Sequence, residues 1–221
     1  MHYRTSDQER IALGFGGHEC NNGVHFCGFY ETAQDRDDII LGYLRQGILD
    51  KAQVLYTPTE RTAGSFTHEY RTRYPHDPEL GDNPRFVMNT AKDLYYPDGV
   101  FSPLKMTTNL DRFFEESQKN GKINVRTTAE MVWALDIGLD RIQLMAYESR
   151  LNYFIPGKPW ISICMYNLTR FSGQLIMGVL QTHPFTVSKG GSITKNPYYI
   201  DPDEWLARNA PQYQRHVAPS Q

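Results

Sequence analysis

Residues 24–57 carry the feature that most restricts the fold, three pieces in the order VHFCGFYET, DDIILGYLRQGILDKAQ and VLYT. The first and last are short apolar runs that read as strands. The middle piece places Asp35, Asp37 and Asp38 where a helix start prefers acid. It sets Ile40, Tyr43 and Leu44 on one face and offers Gly47 as a C-terminal stop. Two strands joined through a helix lie parallel in one sheet, because a tight hairpin cannot make that connection.

The alternation continues along the chain. RFVMN (85–89) is a third strand, and Ser102 with Pro103 gives the N-cap and first position of a helix with Met106, Leu110, Phe113 and Phe114 on one face. KINVR (122–126) is a fourth strand, after which Thr127 and Glu130 have the spacing of a capping box that opens TAEMVWALD. A helical pattern through Leu144, Tyr147, Leu151 and Phe154 follows, then the doubly buried strand WISICMY (160–166). Leu175, Ile176, Val179 and Leu180 mark a helix that must stop before Pro184, and FTVS-KGG-SITKN reads as a closing hairpin. The expected fold is α/β, a mostly parallel sheet with helices on both faces.

This places one domain at residues 23–200, between an irregular, glycine-punctuated lead-in (1–22) and a loosely packed, proline-rich tail (201–221). Residues 58–84 have weak periodicity and many breakers, which suggests a lid. A formal net charge of −2 gives no electrostatic excess for nucleic acid or anionic membrane. Three cysteines, no apolar leader in MHYRTSDQER and no apolar run near the ~20 residues of a membrane span point to a reducing, cytoplasmic setting.

Ligands enter open α/β sheets at the carboxyl ends of the strands. Tyr30 and Glu31, closing the first strand, and Tyr166, closing WISICMY, are therefore candidate ligand contacts. Arg126 closes the fourth strand at the same edge, where it could hold a carboxylate or pair with Glu130 or Glu148. Glu130 is either a ligand contact or half of the capping box. His25 and Cys27 share one strand face, as do Cys164 and Tyr166, because side chains alternate with period two. Each cysteine could equally be a small buried hydrophobe. His183, at a helix end, could cap the last carbonyls or join the site. Adding His18 and Cys20 to His25 and Cys27 gives two imidazoles and two thiols, a possible zinc or other transition-metal set. A Cys/His enzyme is a further alternative, but nothing in the sequence fixes a base beside either thiol, so the chain is expected not to be an enzyme.

The opening strand–helix–strand order resembles that of RecA- and KaiC-like P-loop ATPases, yet residues 30–36, YETAQDR, supply neither the glycines nor the lysine of a phosphate loop. Glu31 and Asp35 stand where phosphate would sit and would repel it. A closer set of motifs runs through the chain: H-x-C-x-x-Y (His25, Cys27, Tyr30), LYYPDGVFSP (94–103) and R-x-x-x-E-M-x-W (Arg126, Glu130, Met131, Trp133). YE-x-x-LN (147–152), C-x-Y (Cys164, Tyr166), T-H-P (182–184) and NPYY (196–199) complete it. Together they resemble the MEDS family, the methanogen/methylotroph DcmR sensory domain. That resemblance implies a RecA/KaiC-like sensor with an eroded P-loop, responding to a small hydrocarbon derivative or methylated compound. It implies signalling through a kinase or DNA-binding regulator as partner, or through a homodimer, with no required cofactor, while the charge balance and the lack of a long apolar run speak against direct nucleic-acid or membrane contact.

Overall fold

The computed structural model describes residues 10–215 apart from 79, 120 and 122. The lead-in pairs β1 (Ile11–Ala12) with β2 (Glu19–Cys20). Then come β3 (Val24–Tyr30), α1 (Ala33–Leu49), β4 (Gln53–Thr57), α2 (Ala63–Arg73), β5 (Phe86–Met88), α3 (Ala91–Tyr95) and α4 (Pro103–Gln118). The second half holds β6 (Val125–Glu130), α5 (Trp133–Asp136), α6 (Arg141–Phe154), β7 (Trp160–Asn167), α7 (Gly173–Thr182), β8 (Phe185–Val187), β9 (Ile193–Lys195) and α8 (Pro202–Asn209).

Seven strands form one sheet in the order β5-β4-β6-β7-β3-β8-β9, parallel except for the β8–β9 hairpin. The α/β expectation is met. Every residue of β6 and β7 is buried, as strands covered on both faces must be. One apolar layer, with Met106, Leu110, Leu144, Leu151 and Trp205, lies under α4, α6 and α8. The other, with Leu13, Phe26, Tyr43, Phe66 and Ile163, lies under α1 and α2.

Thr32 caps α1 in a reciprocal box with Asp35, and the helix runs through Gly47 to Leu49 rather than stopping there. A Cβ on Gly47 would sit 2.8 Å from both Arg126 Cδ and Val54 Cγ2. The glycine lets the helix press onto the sheet; it does not end it.

Four expectations need correction. First, the fourth strand spans Val125–Glu130 instead of 122–126, of which residue 122 lies outside the described residues. Thr127 and Glu130 therefore form no capping box. β6 is hydrogen-bonded to β4 on one side and β7 on the other, and two ladders outweigh the local spacing. Second, the lead-in is built into the core: Leu13 and Phe15 are buried in the α1-side layer, while residues 1–9 lie outside the described residues. Third, the tail is not loose. Asp201 caps α8, whose Trp205 and Leu206 are buried, each side chain contributing roughly 1.5–3 kcal/mol; residues 216–221 lie outside the described residues. Fourth, the segment 58–84 is docked through Phe66 and Tyr70, with Phe66 stacked on Phe86 at 6.0 Å. Among the described residues no helix is long and apolar enough to cross a membrane.

Candidate functional site

Period-two alternation puts His25 and Cys27 of β3 on the α6 face of the sheet, and parallel register sets Cys27 beside Cys164 and Phe29 beside Tyr166 on β7. Helix α6 crosses above them. Its residues Leu144 to Asn152 are all buried, and Glu148 and Asn152, four apart, share the side facing the sheet. His183 arrives from the C-cap of α7, just before β8.

These side chains meet at Glu148, which has no exposure to solvent. Tyr166 donates its hydroxyl to Glu148 Oε1 at 2.7 Å, and the Cys164 thiol points at Oε2 from 3.4 Å. His25 Nε2 and His183 Nε2 each lie 3.4 Å from the same Oε2. The two imidazole rings are 4.2 Å apart.

Outer contacts orient both rings. Asn152 Nδ2 faces the carbonyls of Thr182, Glu148 and Ser149 at 2.8, 3.2 and 3.3 Å, so its Oδ1 accepts from His25 Nδ1 at 3.4 Å. His183 Nδ1 donates to the Val179 carbonyl at 2.8 Å. In the neutral form of either ring Nε2 is then the lone-pair nitrogen, and both Nε2 atoms face the carboxylate.

Burial, and then the neighbouring His183, lowers the His25 pKa to about 4 against the pull of Glu148 and Asn152. Burial raises the Glu148 pKa, but the pull of His183 and His25 in their protonated form outweighs it, so the acid is held ionised whenever a ring carries the Nε2 proton. Burial and the Glu148 charge push the thiols of Cys27 and Cys164 well above their ordinary range. Beside the cluster lies a cavity of about 20 Å³, lined by Leu55, Tyr95, Leu110, Thr128, Tyr147 and Cys164 among others. That is space for one water-sized group. Tyr95, one of its walls, is stacked on Trp133 at 4.2 Å.

The carboxyl end of the sheet is differently built. Glu130 accepts the Tyr56 hydroxyl at 2.6 Å and the backbone N–H groups of Thr59 and Glu60 at 2.9 and 2.7 Å. Arg61 and Arg36 approach its Oε1 at 3.3 and 3.6 Å. Tyr30 donates to Glu60, which also accepts from Asn167. At the β3–α1 junction, where a P-loop fold holds phosphate, Asp35 completes the helix cap with Thr32 and pairs with Lys189 at 3.1 Å.

Of the sequence candidates, His25, Cys164, Tyr166 and His183 converge on one point with Cys27 adjacent, its thiol 3.6 Å from the Phe185 carbonyl. Tyr30 and Glu130 belong to the carboxyl-end network on the other face, and Glu31 is exposed. The single cleft expected from Tyr30, Glu31, Arg126 and Tyr166 does not form. Arg126 opens β6 instead of closing it, and at the amino end donates to the Ala12 carbonyl at 2.6 Å and to Asp50 at 2.8 Å. His18, Cys20, His25 and Cys27 do not gather either. Cys20 packs on the α1 side of the sheet near Arg126, its thiol raised by burial to about 11, whereas Cys27 is on the α6 side. Sequence reasoning missed Glu148 as the centre. Its signal is a carboxylate on the stripe Leu144, Tyr147, Glu148, Leu151, where an apolar residue is expected.

Strand order and layering define a RecA-like α/β domain without a phosphate loop. The flagellar accessory protein FlaH from Methanocaldococcus jannaschii is similar in fold, with a TM-score of 0.55 over 83 % of each chain at 14 % identity. The family model of MEDS, the methanogen/methylotroph DcmR sensory domain, matches residues 24–184, and the chain belongs to that family. It is 24 % identical over 165 residues to the transcriptional repressor DcmR of Methylorubrum extorquens, a match covering 73 % of this chain and 58 % of that relative's length.

Proposed function

We propose that this sensory domain takes a small, largely apolar organic molecule, a hydrocarbon derivative or methylated compound, into the cavity beside Cys164. The observation that carries the reading is that cavity: it adjoins the buried polar cluster, its walls combine Leu55, Leu94, Leu110, Ala129 and two tyrosines with threonine and serine side chains, and its size suits a guest of very few heavy atoms. Occupancy would displace Tyr95 and the neighbouring residues 96–102, and a ligand preferring one arrangement shifts its population by its differential affinity. The similarity to a transcriptional repressor supports a DNA-binding regulator as the downstream partner. A sensory role is favoured over catalysis because neither buried thiol is held as a nucleophilic thiolate. Free thiols at Cys20, Cys27 and Cys164 favour a cytoplasmic setting.

Native mass spectrometry of the protein as purified, with melting curves in methanol, methylamine and dimethyl sulfide, tests this. A binder at 100 times its Kd adds about 2.7 kcal/mol of stability. Ala129→Leu, which fills the cavity, should abolish the shift. A binder whose effect survives Ala129→Leu would place the site elsewhere.

A further inference from the structure

Four donor atoms on four separate elements converge inside the protein: His25 Nε2 from β3, Cys164 Sγ from β7, Glu148 Oε2 from α6 and His183 Nε2 between α7 and β8. All lie within 4.8 Å of one another. Glu148 Oε2 is 3.4 Å from each of the other three, and His25 Nε2 is 3.5 Å from Cys164 Sγ. Metal bonds of roughly 2.0–2.3 Å around a tetrahedral ion hold their donors ~3.3–3.8 Å apart. Four of the six separations therefore already have coordination spacing.

The protons point the same way. Both imidazoles spend their Nδ1 hydrogen outward, on Asn152 and the Val179 carbonyl, and turn a lone pair inward. The carboxylate is also an acceptor, so among the four donor atoms only the thiol carries a hydrogen, while the Tyr166 hydroxyl serves the other carboxylate oxygen. His183 Nε2 is completely buried and has no hydrogen-bond partner. Acceptors crowded around one point, with no lysine or arginine touching Glu148 among the described residues, lack a cation.

We propose that His25, Glu148, Cys164 and His183 form a four-coordinate site for a divalent transition-metal ion, zinc being the ion that this mixed nitrogen, oxygen and sulfur set suits. Binding displaces the Cys164 thiol proton to solvent. The resulting thiolate and the Glu148 carboxylate carry two negative charges against the ion's two positive ones, so the buried site is neutral. Asn152, the Val179 carbonyl and the Tyr166 hydroxyl supply the outer hydrogen bonds that orient metal ligands. The ion would tie two central strands to α6 and to the end of α7. This inference stands on the donor geometry and does not depend on what fills the cavity.

Because the site is enclosed, the ion must enter as the chain folds, so the protein is produced in cobalt-supplemented medium. The expected result is one cobalt per chain, with the strong visible absorption of tetrahedral coordination and a thiolate-to-cobalt band in the near ultraviolet. Cys164→Ser should lose that band, and Cys20→Ser and Cys27→Ser should keep it. Glu148→Gln, which preserves shape, should weaken cobalt affinity more than about 100-fold in a chelator competition while the far-ultraviolet circular dichroism stays native. Absence of cobalt from the folded wild-type protein would overturn the proposal in favour of a proton shared between imidazole and carboxylate. A thiolate band that survives Cys164→Ser would overturn it as well.

Discussion

Glu130 and Glu148 are both completely buried, on opposite faces of one sheet, yet their surroundings differ in kind. Glu130 is answered in full by two guanidinium groups, two backbone N–H groups and a tyrosine hydroxyl. Glu148 is answered by one hydroxyl, one thiol and two imidazole lone pairs. A RecA-like sheet presents its ligand site at the strand carboxyl ends. In this chain the Glu130 network closes that end, and the unsatisfied chemistry has moved under α6. The opening junction YETAQDR is thus a capped helix start sealed by the protein's own charges.

Removing Glu130 should break the comparison most visibly. Glu130→Ala leaves the Tyr56 hydroxyl and the Thr59 and Glu60 N–H groups without their acceptor, while Arg36 and Arg61 keep Asp37 and Glu69, and denaturant unfolding should show a loss of about 2–5 kcal/mol. Leu13→Ala tests whether the lead-in belongs to the same face, since Leu13 is completely buried. A loss of about 2–5 kcal/mol is expected, and a neutral outcome would detach the hairpin from the core.

Glu148→Gln should behave in the opposite way from Glu130→Ala. Compared with wild type in chelator, it should stay within about 1 kcal/mol, since the amide keeps a partner for Tyr166 and gives the imidazoles a donor. A large loss in chelator would mean that Glu148 is structural in the manner of Glu130. The smallest effect belongs to the partly exposed pair of Arg45 and Asp77, 2.6 Å apart. The Arg45 and Tyr70 hydrogen bonds hold the Asp77 carboxyl below its ordinary value of 3.8, burial opposing them. The folded state then keeps this charge to lower pH than the unfolded chain. That stabilisation is complete above about pH 4 and disappears as pH falls through the lowered folded value. Melting of Asp77→Asn should therefore approach that of wild type in acid and fall slightly below it near neutrality.

Strand–helix alternation was readable because β3, β4 and β7 are long apolar runs between helices with clear caps, and the same period-two logic paired His25 with Cys27 and Cys164 with Tyr166. β6 was misread because Thr127 and Glu130 have the spacing of a helix capping box; its state comes from ladders on both sides. That shift moved Arg126 from the carboxyl to the amino end. Leu13, Phe15, Trp205 and Leu206 sit in glycine- or proline-rich surroundings, and only tertiary packing makes them core. Glu148 is legible as a charged residue on an apolar stripe, but its partners lie on strands far away in sequence.

Zinc content after expression in zinc-supplemented medium tests the contrast between the two carboxylates most directly, measured by inductively coupled plasma mass spectrometry on wild type, Glu130→Gln and Glu148→Gln. One zinc per chain in wild type and Glu130→Gln, with none in Glu148→Gln, is the predicted result. Equal zinc in wild type and Glu148→Gln, or none in folded wild type, would contradict it.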